Sequence, residues 1–138
     1  MENNIREIVE ELSREVIAGH GINPEEVNLP PDVKRWVELI HEHLTDEHLT
    51  INWLINKGGG SISGRFKWAI KVYPKKYISV LRLELAKVLL KSDGIGVLEV
   101  ALAVGYKDSS GFCKAFAKHT GINPKEFKNS LHNSIDNS

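Results

Sequence analysis

The chain carries one short pattern twice, 50 residues apart. Ile62, Phe66, Val72, Pro74 and Tyr77 line up with Phe112, Phe116, Ile122, Pro124 and Phe127. In each copy an apolar residue is followed four positions later by an aromatic one, then a stop, then Pro and another aromatic. Apolar residues at i and i+4 mark one face of a short helix. Pro after a pause fits the first turn of the next helix. Such a repeat predicts two similar helical units within one chain.

With 138 residues and a hydrophobic content of 41%, there is room for one domain, or for two small lobes sharing a core. No run of 18 apolar residues occurs, so no membrane span is expected. Met1-Glu2-Asn3-Asn4 leads into acidic sequence without the apolar segment of a signal peptide. Cys113 is alone, which excludes an internal disulfide and fits a reducing, cytoplasmic setting.

Net charge is zero, but the charges are segregated. Residues 1–50 hold 12 acidic and 4 basic side chains, and residues 57–91 hold 9 basic and 1 acidic. A basic stretch beside an acidic appendage is the pattern of a nucleic-acid surface.

Periodicity predicts an all-α chain. Ile5, Ile8, Val9, Leu12, Val16 and Ile17 form the stripe of an acidic amphipathic helix. Gly19 to Pro31 interrupts it. Asp32 is the expected N-cap of a helix with its stripe at Val33, Trp36, Val37, Ile40 and Leu44. Further helices are expected at Thr50–Asn56, Ser61–Ile70, Pro74–Lys91, Val97–Val104 and from Asp108 or Ser109 to His119. A last short helix starts at Pro124, and residues 131–138 form a polar tail.

Chemical motifs are sparse. His41, His43 and His48 lie among carboxylates, with His43 and Glu47 spaced i, i+4. No fourth ligand follows at suitable spacing, so a solvated helix end is the better reading. Gly58-Gly59-Gly60 lacks the Lys of a phosphate-binding loop. Cys113 is read as a buried or half-buried thiol rather than a redox sensor. No enzyme, cofactor or metal is expected.

Short helix, glycine turn and second helix, at about 50–70 and again at 97–119, is the helix-turn-helix arrangement, whose second helix can enter the major groove. Arg82-Leu83-x-x-Ala86-x-x-Leu89-Leu90 is followed by Val100-Ala101-x-x-Val104-Gly105-Tyr106-x-Asp108-x-Ser110-x-Phe112-x-x-x-Phe116, then by Gly121-x-x-Pro124-x-x-Phe127. These residues resemble the AraC-type transcription regulators over roughly residues 33–128. The resemblance implies two helix-turn-helix lobes joined by a long central helix, each with a recognition helix for one of two successive major grooves of double-stranded DNA. Those helices would be Ser61–Ile70 and Ser109–His119. Grooves on one face of the duplex lie roughly 34 Å apart, and an 18-residue connector reaches about 27 Å.

In the second lobe Ser109, Ser110, Lys114 and Lys118 lie off the apolar stripe. Lys114 falls where the family often carries a base-reading Arg, while Lys107 and Lys118 are expected on phosphates. The first lobe departs from the family, because its base-reading positions fall on Gly60, Ser63 and Gly64. Ser61, Ser63, Arg65, Lys67 and Lys71 then make a lobe that grips phosphates and reads little sequence. The expected organisation is an acidic helix and linker at 1–31, the DNA-binding domain at 32–130, and the tail. The segment 1–31 is too short for a sensory pocket, and its acidic helix is a candidate surface for RNA polymerase or another protein. The alternative is a degenerate domain of this fold that binds protein.

Overall fold

The computed structural model describes residues 2–25, 27–92 and 94–136, and every regular element among them is helical. In chain order these are α1 (Glu2–Gly19), α2 (Pro31–His43), α3 (Ile51–Gly58), α4 (Ser63–Ile70), α5 (Pro74–Leu90), α6 (Val97–Ala103), α7 (Ser109–Thr120) and α8 (Pro124–Asp136). The fold is all-α, as the periodicity requires.

Local chemistry sets the boundaries. Thr50 caps α3 by accepting from the Trp53 backbone N–H at 3.1 Å, and Asp108 caps α7 by accepting from Gly111 at 2.9 Å. Pro74 opens α5 at its first turn, where the missing N–H has no helical partner to lose. The expected cap Asp32 instead lies inside the first turn of α2, after Pro30 and Pro31. The N-cap position falls on Pro30, which has no side-chain acceptor, and Asp32 Oδ1 instead accepts from the Val33 backbone N–H at 2.9 Å. α2 stops at His43, so Glu47 is not on the same helix as that histidine. α4 begins at Ser63 rather than Ser61. α8 continues through Asp136, past the expected start of the polar tail.

α5 is the axis of the molecule, buried through Tyr77, Ile78, Leu81, Leu83, Leu85, Ala86 and Leu90. α2, α3 and α4 gather at one end of it, around Trp36, Leu54 and Phe66. α6, α7 and α8 gather at the other, around Val100, Phe112 and Phe116. α1 lies across α5 and α2, with Val9 and Ile17 buried. The acidic helix is therefore built into the core, and residues 20–25 and 27–30 beyond it carry no helix. Arg82 ties the two ends together. Its guanidinium donates to the carbonyls of Leu44 (2.8 Å) and Asp46 (2.7 Å). It also lies against Gly105, where a Cβ would stand 2.9 Å from it.

The repeat is visible at the helix ends. Gly121 stops α7 in the left-handed region (φ 89°), and Lys71 stops α4 in the same conformation (φ 71°). Pro74 and Pro124 are both buried after these turns. Gly21-Ile22-Asn23-Pro24, which echoes residues 121–124, shares the left-handed glycine (φ 80°) but leads into a turn, not a helix. It ends a helix without starting another.

Candidate nucleic-acid interface

The second lobe is a complete helix-turn-helix. α6 runs into a turn at residues 104–108, where Gly105 adopts φ 97°. α7 then starts on its Asp108 cap and buries Phe112 and Phe116. Tyr106 and Phe127 meet these rings edge-on, with centroids 5.4 and 5.5 Å from Phe112 and Phe116 respectively. The helix is held on one side only. Ser110, Lys114 and Lys118 are exposed on the other, with Ser109 half-buried at the start. Lys107 is exposed in the turn. Among the described residues, no ion pair involves Lys107, Lys114 or Lys118.

The first lobe matches the second only after a shift. From the cap of α3 to its glycine turn, Thr50, Leu54 and Gly59 correspond to Gly96, Val100 and Gly105. Leu54 and Val100 are fully buried, and Gly59 and Gly105 are both left-handed (φ 90° and 97°). Beyond the turn, Phe66 corresponds to Phe116. The first lobe therefore crosses from helix cap to core aromatic in 16 residues and the second in 20. The four absent residues are the counterparts of Lys107, Asp108, Ser109 and Ser110: the end of the turn, the N-cap and the start of α7. Two of these are helical in α7, and Ser61 and Ile62 lie outside α4, so α4 is about 6 Å, or one turn, shorter at its start. α4 accordingly has 8 residues against 12 in α7, and no side chain caps it.

Core packing compensates at one point. Gly58 stands where the second lobe has buried Val104, and the indole of Trp36 fills that space. A Cβ on Gly58 would lie 2.4 Å from Trp36 Nε1.

The expected contact residues of the first lobe are spread more widely. Ser61 is exposed ahead of the helix, and Ser63 is half-buried at its start. Arg65 is exposed but turned to Asp32 of α2, at 2.7 Å. Lys67 and Lys71 fold back on the end of α4: Lys67 Nζ donates to the Lys71 carbonyl (3.2 Å) and Lys71 Nζ to the Trp68 carbonyl (3.0 Å). Each also lies over an aromatic ring, Lys67 over Tyr73 at 5.3 Å and Lys71 over Trp68 at 5.7 Å. Neither ring lies on the apolar positions that mark the repeat. Trp68 is 74% and Tyr73 56% exposed. Helical spacing held the signal for Trp68, which follows Gly64 by four positions and so shares its outward face.

The histidine cluster disperses. His43 lies against Trp53 (ring centroids 4.6 Å), His48 bonds Asp46 (3.0 Å), and His41 Nε2 is 2.8 Å from the Tyr77 hydroxyl. Among the described residues, no group of three or more His, Cys, Asp or Glu is placed to hold a metal ion. Burial lowers the His41 imidazole to about 4. Cys113 is half-buried. Among the described residues, no helix is long and apolar enough to cross a membrane.

Two helix-turn-helix units on a shared central helix define an AraC-type DNA-binding fold. Residues 57–130 match the family model described as a helix-turn-helix domain, and the chain belongs to the AraC-type helix-turn-helix family. It is similar to the melibiose operon regulatory protein of Escherichia coli K12, at 28% identity over 86 residues, 60% of this chain and 28% of that protein. It is also similar to the raffinose operon transcriptional regulatory protein RafR of Pediococcus pentosaceus, at 39% over 66 residues, 48% of this chain and 24% of the relative. The chain spans about a quarter of the length of these relatives. Among solved structures, the C-terminal domain of the response regulator AraT from Geobacillus stearothermophilus superposes with a TM-score of 0.72 at 26% identity, covering 75% of this chain and 88% of that one. The DNA-binding domain of AdpA, solved with a target DNA, shares the fold at a TM-score of 0.70 and 19% identity, over 79% of this chain and all of that one.

Proposed function

We propose that this chain is the DNA-reading part of a transcription regulator, acting in the cytoplasm on double-stranded DNA without chemistry of its own. α7 enters one major groove, where Lys114 reads a base edge, Ser109 and Ser110 lie at the helix start, and Lys107 and Lys118 meet phosphates. The first lobe sits over the next groove, with Ser61, Ser63, Arg65, Lys67 and Lys71 toward the backbone. Lys67 and Lys71 are lightly held, so phosphates can displace their bonds to helix carbonyls. Arg65 must first leave Asp32. α1 presents Glu7, Glu10, Glu11 and Glu15 to solvent and is the surface offered to RNA polymerase or another protein.

The observation that carries this reading is α7: a rigidly backed helix whose outward face is cationic and unpaired. The test is Lys114→Ala, compared with wild type on a selected duplex and on random duplex at two salt concentrations. The variant should lose about 1–3 kcal/mol on the selected site and relax preference at one or two base pairs. Equal loss on both duplexes makes Lys114 a phosphate contact. Failure of the wild type to bind any duplex leaves the family's fold serving protein binding instead.

A further inference from the structure

We infer that Trp68 is a specificity-determining residue of the first lobe, and that its indole reads thymine methyl groups in the major groove facing α4. The inference rests on the DNA-binding reading above and assigns this lobe a part in sequence selection.

The placement comes from the helix itself. Among the described residues Trp68 is the most exposed of the large apolar side chains, at 74%, and it shares an outward face with Gly64. By the repeat, Gly64 corresponds to Lys114 and Trp68 to Lys118. The first position offers no side chain, and nothing lies within 4 Å of a Cβ built there. The preceding turn of the helix is absent. The large exposed apolar side chain on this face of the shortened helix is therefore the indole.

The surroundings select the partner. Lys71 Nζ sits 5.7 Å from the indole centroid and Lys67 Nζ 5.3 Å from that of Tyr73. Both lysines are drawn back to the carbonyl end of α4, so the ring stands forward of the charge. A cationic collar favours a polyanion. An apolar ring gains nothing from phosphate, and in a major groove the apolar group on offer is the thymine C5-methyl. Indole has no planar pair of donors for a base edge, so its readout is by apolar contact.

The experiment uses the full chain. A site is selected from random duplex with wild type, Trp68→Ala and Trp68→Lys, the last copying the second lobe. Each thymine in the half-site away from the Lys114 contact is then replaced by deoxyuridine, which lacks only the methyl. Wild type should bind about fourfold more weakly at one or two of these positions, the transfer free energy of one buried methyl group. Trp68→Ala should bind thymine and uracil duplexes alike and lose the thymine preference. Because the side chain is 74% exposed, both variants should melt close to wild type. The inference is overturned if deoxyuridine has no effect at any position, if the selected half-site contains no thymine, or if Trp68→Ala selects the wild-type site. The Lys114 half-site is the internal control: its preference persists if only this inference fails and disappears with it if the DNA-binding reading fails.

Discussion

The two lobes are built on one plan and finished differently. Each closes a helix on a left-handed glycine, buries an aromatic residue of its second helix, and exits through a left-handed residue into a buried proline. What differs is the outward side. α7 has a capped first turn and two unpaired lysines. α4 lacks that turn, carries glycine where α7 has Lys114, and puts tryptophan where α7 has Lys118. Core positions keep their spacing on either side of the turn, and the four-residue difference falls at the turn between Leu54 and Phe66. Outward positions are not tied by core packing, which leaves them open to differ between the lobes.

Shared cores should fail alike. Phe66→Ala and Phe116→Ala each remove a ring that is fully buried and should each cost about 3–5 kcal/mol in urea unfolding. A loss confined to one variant would break the equivalence of the lobes. The first lobe has a weak point that the second lacks. Gly58→Ala drives a Cβ into the Trp36 indole, 2.4 Å away, and should cost about 1–3 kcal/mol by overpacking. An unchanged melting temperature would show that the indole can move aside.

Acid should also separate the lobes. Tyr77, in the first lobe, meets His41, whereas its counterpart Phe127 has no hydroxyl to offer. Burial depresses the His41 pKa from 6.5 to about 4 in the folded state. A depressed histidine binds its proton mainly in the unfolded chain. Its contribution is complete above pH 6.5 and is lost as pH falls toward 4, at about 1.4 kcal/mol per pH unit. All three tryptophans lie before residue 71, so their fluorescence reports the first lobe. His41→Phe should flatten this acid limb. An unchanged limb would assign the acid sensitivity to other groups.

Restoring the missing turn tests the comparison directly. Inserting Lys-Asp-Ser-Ser between Gly60 and Ser61 should extend α4 to the length of α7 and lengthen the selected DNA site. Affinity should rise about tenfold, the worth of one good base or phosphate contact. A folded insertion variant with an unchanged site would show that α4 does not lie in a groove. The smallest effect is expected at the matched stops. Lys71→Gly relieves the left-handed strain that Gly121 avoids (φ 71° at Lys71). It should stabilise the protein by about 0.5–1 kcal/mol while lowering the salt slope of DNA binding by about 1. Destabilisation would mean that the lysine's bonds to α4 outweigh the strain.

The sequence determined the helical class, the two-lobe repeat, the central helix and the inward aromatics, because periodicity and paired spacing are local and survive without coordinates. It also marked Lys114 and Lys118 as outward. Tertiary structure decided the rest. The register of the first lobe was hidden because residues 50–60 follow a 46-residue offset and residues 61–77 a 50-residue one, and only the matching left-handed glycines 59 and 105 locate the change. Arg65 reads in sequence as a free cation and is paired with Asp32, a residue 33 positions away. The acidic helix reads as an appendage, yet its apolar stripe is covered by α5 and α2. Pairings of this kind join segments far apart in the chain, and no local pattern encodes which distant surface a side chain will meet.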